Sequence, residues 1–308
     1  MTADADFRAG AGCFPIIFQS APLPRGGIDQ AVQSFSSALA KDPNFQRARA
    51  WRAYAYVTAG IDGWGWSNFN DARLGSAQDL FSVGLLDAQA AAQGAGTDPR
   101  VQYDTLWALA FCHLHSRPTA TTDQEMKHRF AKVNFDKALT ICRSSAIEDP
   151  YFLAETADSL VYLGEVARAE KLINQAIRLA RNAGPVPPWF FWVKAWIAYC
   201  AGCLDDDIAK FSSAIQSLRK MFKLDSTNNE ILPEDFDALV LMAACYREVG
   251  EMKLANAAAQ QAIQTIQAKK GQPWRWQREV ARAPFDPFDG DARELQKSWR
   301  NALRELFP

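Results

Sequence analysis

The chain has 308 residues, of which 48% are hydrophobic and 22% are charged, a composition typical of a soluble globular protein. Its 34 basic and 35 acidic residues give a formal net charge of −1, so overall charge does not support nucleic-acid binding, which needs a basic face. No apolar run reaches the roughly 18 residues of a membrane span, and the N-terminus lacks the features of a secretory signal. The six scattered cysteines are unlike a disulfide scaffold, so we expect a reduced, cytoplasmic setting.

Residues 1–25 are predicted to form an extended N-terminal segment. Pro15, Pro22 and Pro24 interrupt any helix there, so the first helical pair is expected to lack its first helix. The apolar stretch CFPIIF, residues 13–18, has two interpretations. It either lies extended along the first repeat in place of that helix, or adds to another chain as an arm and makes a homodimer.

Residues 26–270 repeat one pattern of small and large side chains, with successive spacings of 3, 4, 5, 4 and 3 residues. Small residues let two antiparallel helices approach closely, larger ones fill the groove between them, and glycine is suited to ending the first helix. By this reasoning Gly202 is expected in a turn between two helices. The three clearest copies are Ala157, Leu160, Gly164, Ala169, Ile173, Ala176; Ala195, Ala198, Gly202, Asp207, Phe211, Ala214; and Ala243, Tyr246, Gly250, Ala255, Ala259, Ala262.

Weaker copies precede these three, with longer separations between the two halves. They are Ala31, Phe35, Ala38; Ala53, Tyr56, Gly60 with Ala77, Phe81, Gly84; and Ala108, Phe111, His115 with Ala131, Phe135, Ala138. The pattern resembles the tetratricopeptide repeat (TPR), a hairpin of two helices. The resemblance implies an all-α fold, a right-handed α-solenoid of TPR-like hairpins in which each pair buries the apolar face of its neighbour. Asp207 departs from the pattern, since a small residue is expected there.

Residues 271–308 are predicted to be a loop followed by a C-terminal capping helix. Leu295, Trp299, Leu303 and Leu306 form one apolar stripe of that helix, which suits it to cover the last exposed face of a solenoid. The stretch PPWFFWVKAWIAYCAG, taken with this later segment, also looks similar to repeat regions attached to bacterial nucleotide cyclases. No cyclase domain accompanies it.

Candidate catalytic and metal-binding residues are few. Cys200 and Cys203 form a C-x-x-C, but no second cysteine pair or nearby histidine completes a zinc site, so we interpret them as structural. A redox or zinc role for this pair stays as an alternative. His113 and His115 lie two residues apart and point to different faces of a helix, so they do not share an ion naturally. Motifs of nucleophilic catalysis and phosphate binding do not occur. We therefore predict a non-enzymatic protein without a cofactor.

Aromatic residues provide the strongest binding signal. Trp189, Trp192, Trp196 and Tyr199 are spaced by 3, 4 and 3 residues, so they share one face of a helix. The TPR resemblance implies that such first-helix positions line a concave groove, and it places Arg47, Tyr54, Asp158 and Arg247 there in other repeats. Aromatic and arginine side chains dominate recognition at interfaces. The alternative is that the aromatic stripe packs beneath the N-terminal segment or the long helix extensions.

The leading functional prediction is a scaffold or adaptor that binds a protein or peptide partner in this aromatic-lined groove, with apolar or proline-rich segments as the best-matched ligands. A second hypothesis is a sensor or regulatory domain whose groove holds a small molecule or a short signalling peptide. The Trp64 and Trp66 insertion has no assigned role.

Overall fold

A computed structural model describes residues 2–13, 25–61, 80–117, 121–225, 236–270, 283–287 and 289–307. Within these ranges the chain forms thirteen α-helices and no β-strand, so the all-α prediction is confirmed for them. No helix in the described part is both long and apolar enough to cross a membrane. The chain divides into two compact units, Met1–Glu148 and Asp149–Pro308.

The first unit contains six helices that pack in consecutive pairs. α1 packs on α2, α3 on α4 and α5 on α6, while α2 also contacts α3, and α5 contacts both α3 and α4. This is the arrangement expected of stacked helical hairpins. The helices are α1 (Ala3–Ala11), α2 (Arg25–Lys41), α3 (Gln46–Ile61), α4 (Leu80–Gln93), α5 (Pro99–His115) and α6 (Thr121–Ser144).

The second unit contains three hairpins and a final helix. α7 packs on α8, α9 on α10 and α11 on α12; the first helices α7, α9 and α11 also contact one another in that order. The last helix, α13, contacts α9, α11 and α12. The helices are α7 (Pro150–Tyr162), α8 (Val166–Ala183), α9 (Pro188–Asp205), α10 (Ile208–Asp225), α11 (Phe236–Glu248), α12 (Met252–Lys270) and α13 (Gly290–Leu306).

Aspartate side chains fix the beginnings of several helices, among them α5, α7 and α13. Asp98 accepts hydrogen bonds from the backbone of Arg100 and Val101 at the start of α5, at 2.8 and 3.1 Å. Asp149 and Asp289 do the same for α7 and α13, with single bonds of 3.1 and 3.0 Å. In α5 and α7 a proline follows the aspartate, where its fixed φ suits the first helical residue.

The predicted absence of a first helix in the first pair is wrong, because α1 takes that place. Phe7 packs against the rings of Phe35 and Phe45, with centroids 5.9 and 5.1 Å apart. Asp6 is buried, forms an ion pair with Lys41 and accepts a hydrogen bond from Ser37. Residues 3–11 are therefore helical rather than extended; the stretch 14–24 lies outside the described residues.

The predicted turn at Gly202 is also wrong. α9 continues through Gly202 to Asp205, and the left-handed residue that ends it is Asp206, with φ of 53°. Gly202 has a packing role, because a Cβ there would lie 2.7 Å from the ring of Phe211 on α10. Gly10 and Gly60 meet the rings of Phe35 and Phe81 in the same way. By contrast, Gly164 and Gly250 do lie in turns, with φ of 77° and 81°.

Two further buried carboxylates join helices of the first unit. Asp87 on α4 accepts hydrogen bonds from both Nε and Nη2 of Arg52 on α3, at 2.8 and 3.1 Å. Asp104 on α5 is bound by Arg47 and by Trp51 Nε1, at 2.6 and 3.2 Å. Burial raises the pKa of Asp104, and the neighbouring arginines oppose that rise. Paired in this way, the carboxylates fix the register between helices.

Candidate interaction surface

The aromatic residues predicted on α9 form a ladder of rings. Trp196 stacks between Trp192 and Tyr199, with centroids 6.5 and 5.8 Å away and ring planes inclined by 17° and 12°. Trp189 precedes them and meets Phe190 edge-on. The predicted spacing therefore does place Trp192, Trp196 and Tyr199 in one row. We call Trp189, Trp192, Trp196 and Tyr199 the α9 stripe.

Two residues of the α9 stripe, Trp196 and Tyr199, are covered by the chain's own C-terminal segment, which we define as residues 283–287 and 289–307. Trp299 of α13 meets Trp196 and Tyr199 edge-on, with centroids 5.1 and 5.6 Å apart. Such edge-on contacts between aromatic rings are favourable beyond the apolar area that they bury. Trp196 and Tyr199 are only 4% and 1% exposed.

Upstream of α13, the C-terminal segment is attached to the end of α7. The backbone N–H of Asp286 donates to the carbonyl of Tyr162 at 2.8 Å. Phe285 packs on Tyr162 and on Trp196, with centroids 5.1 and 6.3 Å apart. Asp289 lies directly against Gly164, where a Cβ would come within 2.1 Å of its Oδ1. A side chain at position 164 would therefore displace the start of α13.

Downstream, an ion pair attaches α13 to α11. Arg247 Nε lies 2.6 Å from Glu305 Oε2, and the same guanidinium also pairs with Glu248. The bond to Arg247 holds the pKa of Glu305 below its usual range, and the bond to Glu305 raises the pKa of Arg247. Glu305 is 51% exposed, so this pair selects a register more than it stabilises the fold.

The apolar stripe predicted for the last helix is confirmed, since Leu295, Leu303 and Leu306 are buried and Trp299 is half-buried. Its contacts include the α9 stripe and Arg247, residues predicted to face a partner. The α9 stripe therefore packs in part beneath the C-terminal segment. The alternative interpretation from the sequence had placed it beneath the N-terminal segment or the helix extensions. Trp189 and Trp192 are only half-buried.

Asp158 on α7 is a polar residue of this surface with an unsatisfied side-chain oxygen. Its Oδ1 atom is buried and makes no hydrogen bond, although the residue keeps some exposure. Desolvation raises the pKa of Asp158 well above its usual range, and the nearby Glu155 adds to the rise. Asp158 lies close enough to Tyr162 and to Cys200 of α9 to raise the pKa of both groups. A buried carboxylate oxygen without a donor is costly, and such costs cluster at functional sites.

Arg47 and Tyr54, the two predicted groove residues in the first unit, are part of its packing. Tyr54 is 1% exposed and lies between the rings of Trp107 and Phe111, with centroids 4.8 and 4.7 Å away. Arg47 binds Asp104 and places its guanidinium 4.8 Å from the ring of Phe7. Because both side chains are engaged within the unit, we do not carry them into the functional proposal.

The two cysteines of the C-x-x-C lie within the last turns of α9, and all six cysteines of the chain are free. Burial raises the pKa of Cys200 far above its usual range and that of Cys203 to about 12. Thiolates are the reactive and metal-binding form of cysteine, so this environment disfavours both uses. No group of three candidate ligands that could hold a metal occurs among the described residues.

The two histidines that were considered as metal ligands, His113 and His115, lie at the end of α5. His115 packs against Phe111 and His113 against Phe130, with centroids 4.5 and 5.2 Å apart. Burial lowers the pKa of His113 to about 4 and that of His115 to about 3. Both imidazoles are therefore neutral at pH 7 and packed as apolar groups.

Four residues of the surface were not predicted from the sequence: Tyr162, Phe285, Trp299 as a contact of the α9 stripe, and Glu305. The sequence marks two of these residues in part, since Trp299 lies on the predicted apolar stripe of the last helix and Phe285 follows a proline. An open pocket of about 780 Å³ in the first unit includes Gln102, Thr105 and Asp136 in its lining and none of the predicted site residues.

No protein-family model matches the chain, and no curated protein matches it. Among solved structures, it is similar to the TPR2AB-domain:pHSP90 complex of yeast Sti1, with 14% identity, 97% of this chain and 98% of that chain covered, and a TM-score of 0.29. It is also similar to the P58(IPK) TPR domain, with 13% identity, 98% of this chain and 66% of that chain covered, and a TM-score of 0.29. At these TM-scores neither likeness carries an argument, and the likeness to cyclase-associated regions stays a prediction.

Proposed function

We propose that the protein is a non-catalytic scaffold that binds a protein or peptide partner on the surface formed by α7, α9 and α11. The partner contacts the half-buried part of the α9 stripe, Trp189 and Trp192, and supplies a hydrogen-bond donor to Asp158. We assign this activity to the reduced, cytoplasmic setting that the free thiols suggest.

The observation that carries this proposal is the coexistence of half-buried tryptophans and a buried, unbonded carboxylate oxygen on neighbouring first helices. Asp158 and Trp196 occupy equivalent positions in consecutive repeats, so the carboxylate and the α9 stripe adjoin. Tryptophan supplies large apolar contact area, while an unsatisfied buried acceptor gives selectivity for a donor, because a partner without one leaves it unbonded.

The test is affinity capture from the native cell with the intact protein, compared across three variants. We expect Trp192→Ala and Asp158→Asn each to lower partner capture about tenfold or more, as hot-spot substitutions do. The control is Ile208→Ala, because Ile208 is an exposed apolar residue at the start of α10. Partner capture that tolerates both substitutions while the control behaves like the native chain contradicts the proposal.

Asp158→Asn also separates function from stability. The folded-state pKa of Asp158 is raised, so the chain is most stable when the carboxyl is protonated and loses that stability as pH rises through the raised value. The asparagine variant should therefore unfold at a higher temperature than the native chain at pH 8, with the difference vanishing below the usual carboxyl pKa. A variant that is more stable yet binds less identifies a residue kept for binding.

The alternatives have weaker support. A small-molecule sensor would show a rise in melting temperature with a metabolite at unchanged oligomeric state, and no predicted site residue lines the open pocket of the first unit. A homodimer through the N-terminal arm stays a prediction. Deleting residues 1–25 would not test that arm cleanly, because the deletion also removes α1. Light scattering on the intact chain is the better measurement.

A further inference from the structure

We propose that the partner is an amphipathic helix with the chemistry of α13, and that it binds by replacing the C-terminal segment on α9 and α11. The defining features are a tryptophan within an apolar stripe and a carboxylate six residues after it, as in Trp299 and Glu305. This inference rests on the proposed function and names the class of partner.

The first argument is that this surface already holds such a helix. Apolar side chains of α13 are buried, and Trp299 meets the α9 stripe at 5.1 and 5.6 Å. A surface that accepts one helix of a given pattern provides the contacts for another, since helix-in-groove recognition depends on anchors at helical spacing.

The second argument is charge complementarity. Arg247, on α11, places its Nε atom 2.6 Å from Oε2 of Glu305. A partner helix with glutamate or aspartate at that position gains the same bond, and one with lysine or arginine meets repulsion. The tryptophan and the carboxylate together thus set the register of the incoming helix.

The third argument is that a partner helix can make contacts on this surface that α13 does not make. The C-terminal segment packs on Trp196 and Tyr199, whereas Trp192 is half-buried and Asp158 Oδ1 has no hydrogen bond. A partner helix that extends toward Trp192 and donates to Asp158 makes contacts that α13 does not. Those additional contacts are what lets it displace a segment that has the advantage of being tethered.

The probe is a fluorescein-labelled peptide of residues 283–308, titrated by anisotropy into full-length chains. A Trp299→Ala chain, whose own segment is weakened, should bind the peptide at least tenfold more tightly than the native chain does. Adding Arg247→Glu to that chain should weaken binding at least threefold, and a peptide with Glu305→Arg should recover it. Arg300→Ala in the peptide, at an exposed position of α13, is the matched control.

Equal binding by native and Trp299→Ala chains, or no recovery by the charge-swapped peptide, overturns the inference. So does light scattering that shows a native dimer becoming a monomer on Trp299→Ala, because the occupant is then a second copy. If Trp299→Ala proves unfolded, Glu305→Ala at its half-exposed position replaces it as the weakened chain.

Competition separates this inference from the proposed function. Unlabelled peptide should release a partner whose capture depends on Trp192, and a peptide with Trp299→Ala should not. Partner capture that requires Trp192 but resists the peptide refutes the helix and leaves the scaffold function standing.

Discussion

Replacing Arg52 with methionine should lower the free energy of unfolding by about 3–5 kcal/mol, the range for breaking a buried ion pair by removing one partner. Arg52 donates two hydrogen bonds to Asp87, at 2.8 and 3.1 Å, and one to Ser36 at 3.1 Å, so it joins α2, α3 and α4. Its removal takes both of these guanidinium bonds from a carboxylate that is 1% exposed.

The measurement for Arg52→Met is urea unfolding followed by circular dichroism. Adding Asp87→Asn removes the buried charge at nearly constant volume, so the double variant should regain most of the lost stability. If the single and double variants are equally unstable, the loss comes from packing and the ion pair is not the cause. A surface control is Arg49→Met, since Arg49 forms an exposed bond to a backbone carbonyl.

Replacing Trp299 with alanine should release α13 while leaving the hairpins folded. Removing a fully buried tryptophan costs about 3–5 kcal/mol, and Trp299 is half-buried, so we expect about 3 kcal/mol at this contact. That free energy corresponds to about a 100-fold rise in the rate of amide hydrogen exchange along α13. Tryptophan emission should also shift to the red as Trp196 meets water.

Hydrogen exchange with mass spectrometry locates this effect. The rise should be confined to residues 290–306, because α7, α9 and α11 still pack on one another in the absence of α13. Arg293→Ala, at an exposed position of the same helix, should leave exchange within about twofold of the native rate. Uniform acceleration across the second unit would mean that α13 is an integral part of that unit.

The hairpins were predictable because their signal is local. In the second unit, the spacing of small and large residues predicts helix pairs that the chain closes with only two or three connecting residues. Gly202 shows the limit of the pattern. The same spacing that marks a turn at Gly164 and Gly250 marks a close contact with Phe211 at Gly202, and only the neighbouring side chain distinguishes the two.

Non-local contacts account for the remaining errors. α1 was missed because Gly10 and Phe35 are separated by an interposed proline-rich stretch, whereas Gly202 and Phe211 lie on either side of a short turn. The apolar stripe of α13 was evident from sequence, but a stripe does not specify which surface it covers. The rings of Trp196 and Tyr199 were equally suited to a partner and to the chain's own Trp299, and the sequence pattern alone does not separate those two uses.

The position of α13 on α9 is the central claim, and a disulfide tests it most directly. Ser298 of α13 lies close enough to Cys203 of α9 to lower the pKa of its thiol against the rise that burial causes. Ser298→Cys should therefore cross-link to Cys203 within one chain under oxidation with copper phenanthroline, with the introduced thiol rather than the Cys203 thiol as the attacking thiolate. Mass spectrometry of proteolytic fragments should find that bond, and Lys297→Cys, an exposed neighbour, should not form it. The cross-linked chain should no longer bind the 283–308 peptide, and reduction should restore native binding. Absence of the cross-link, or a cross-link only between two chains, contradicts the account.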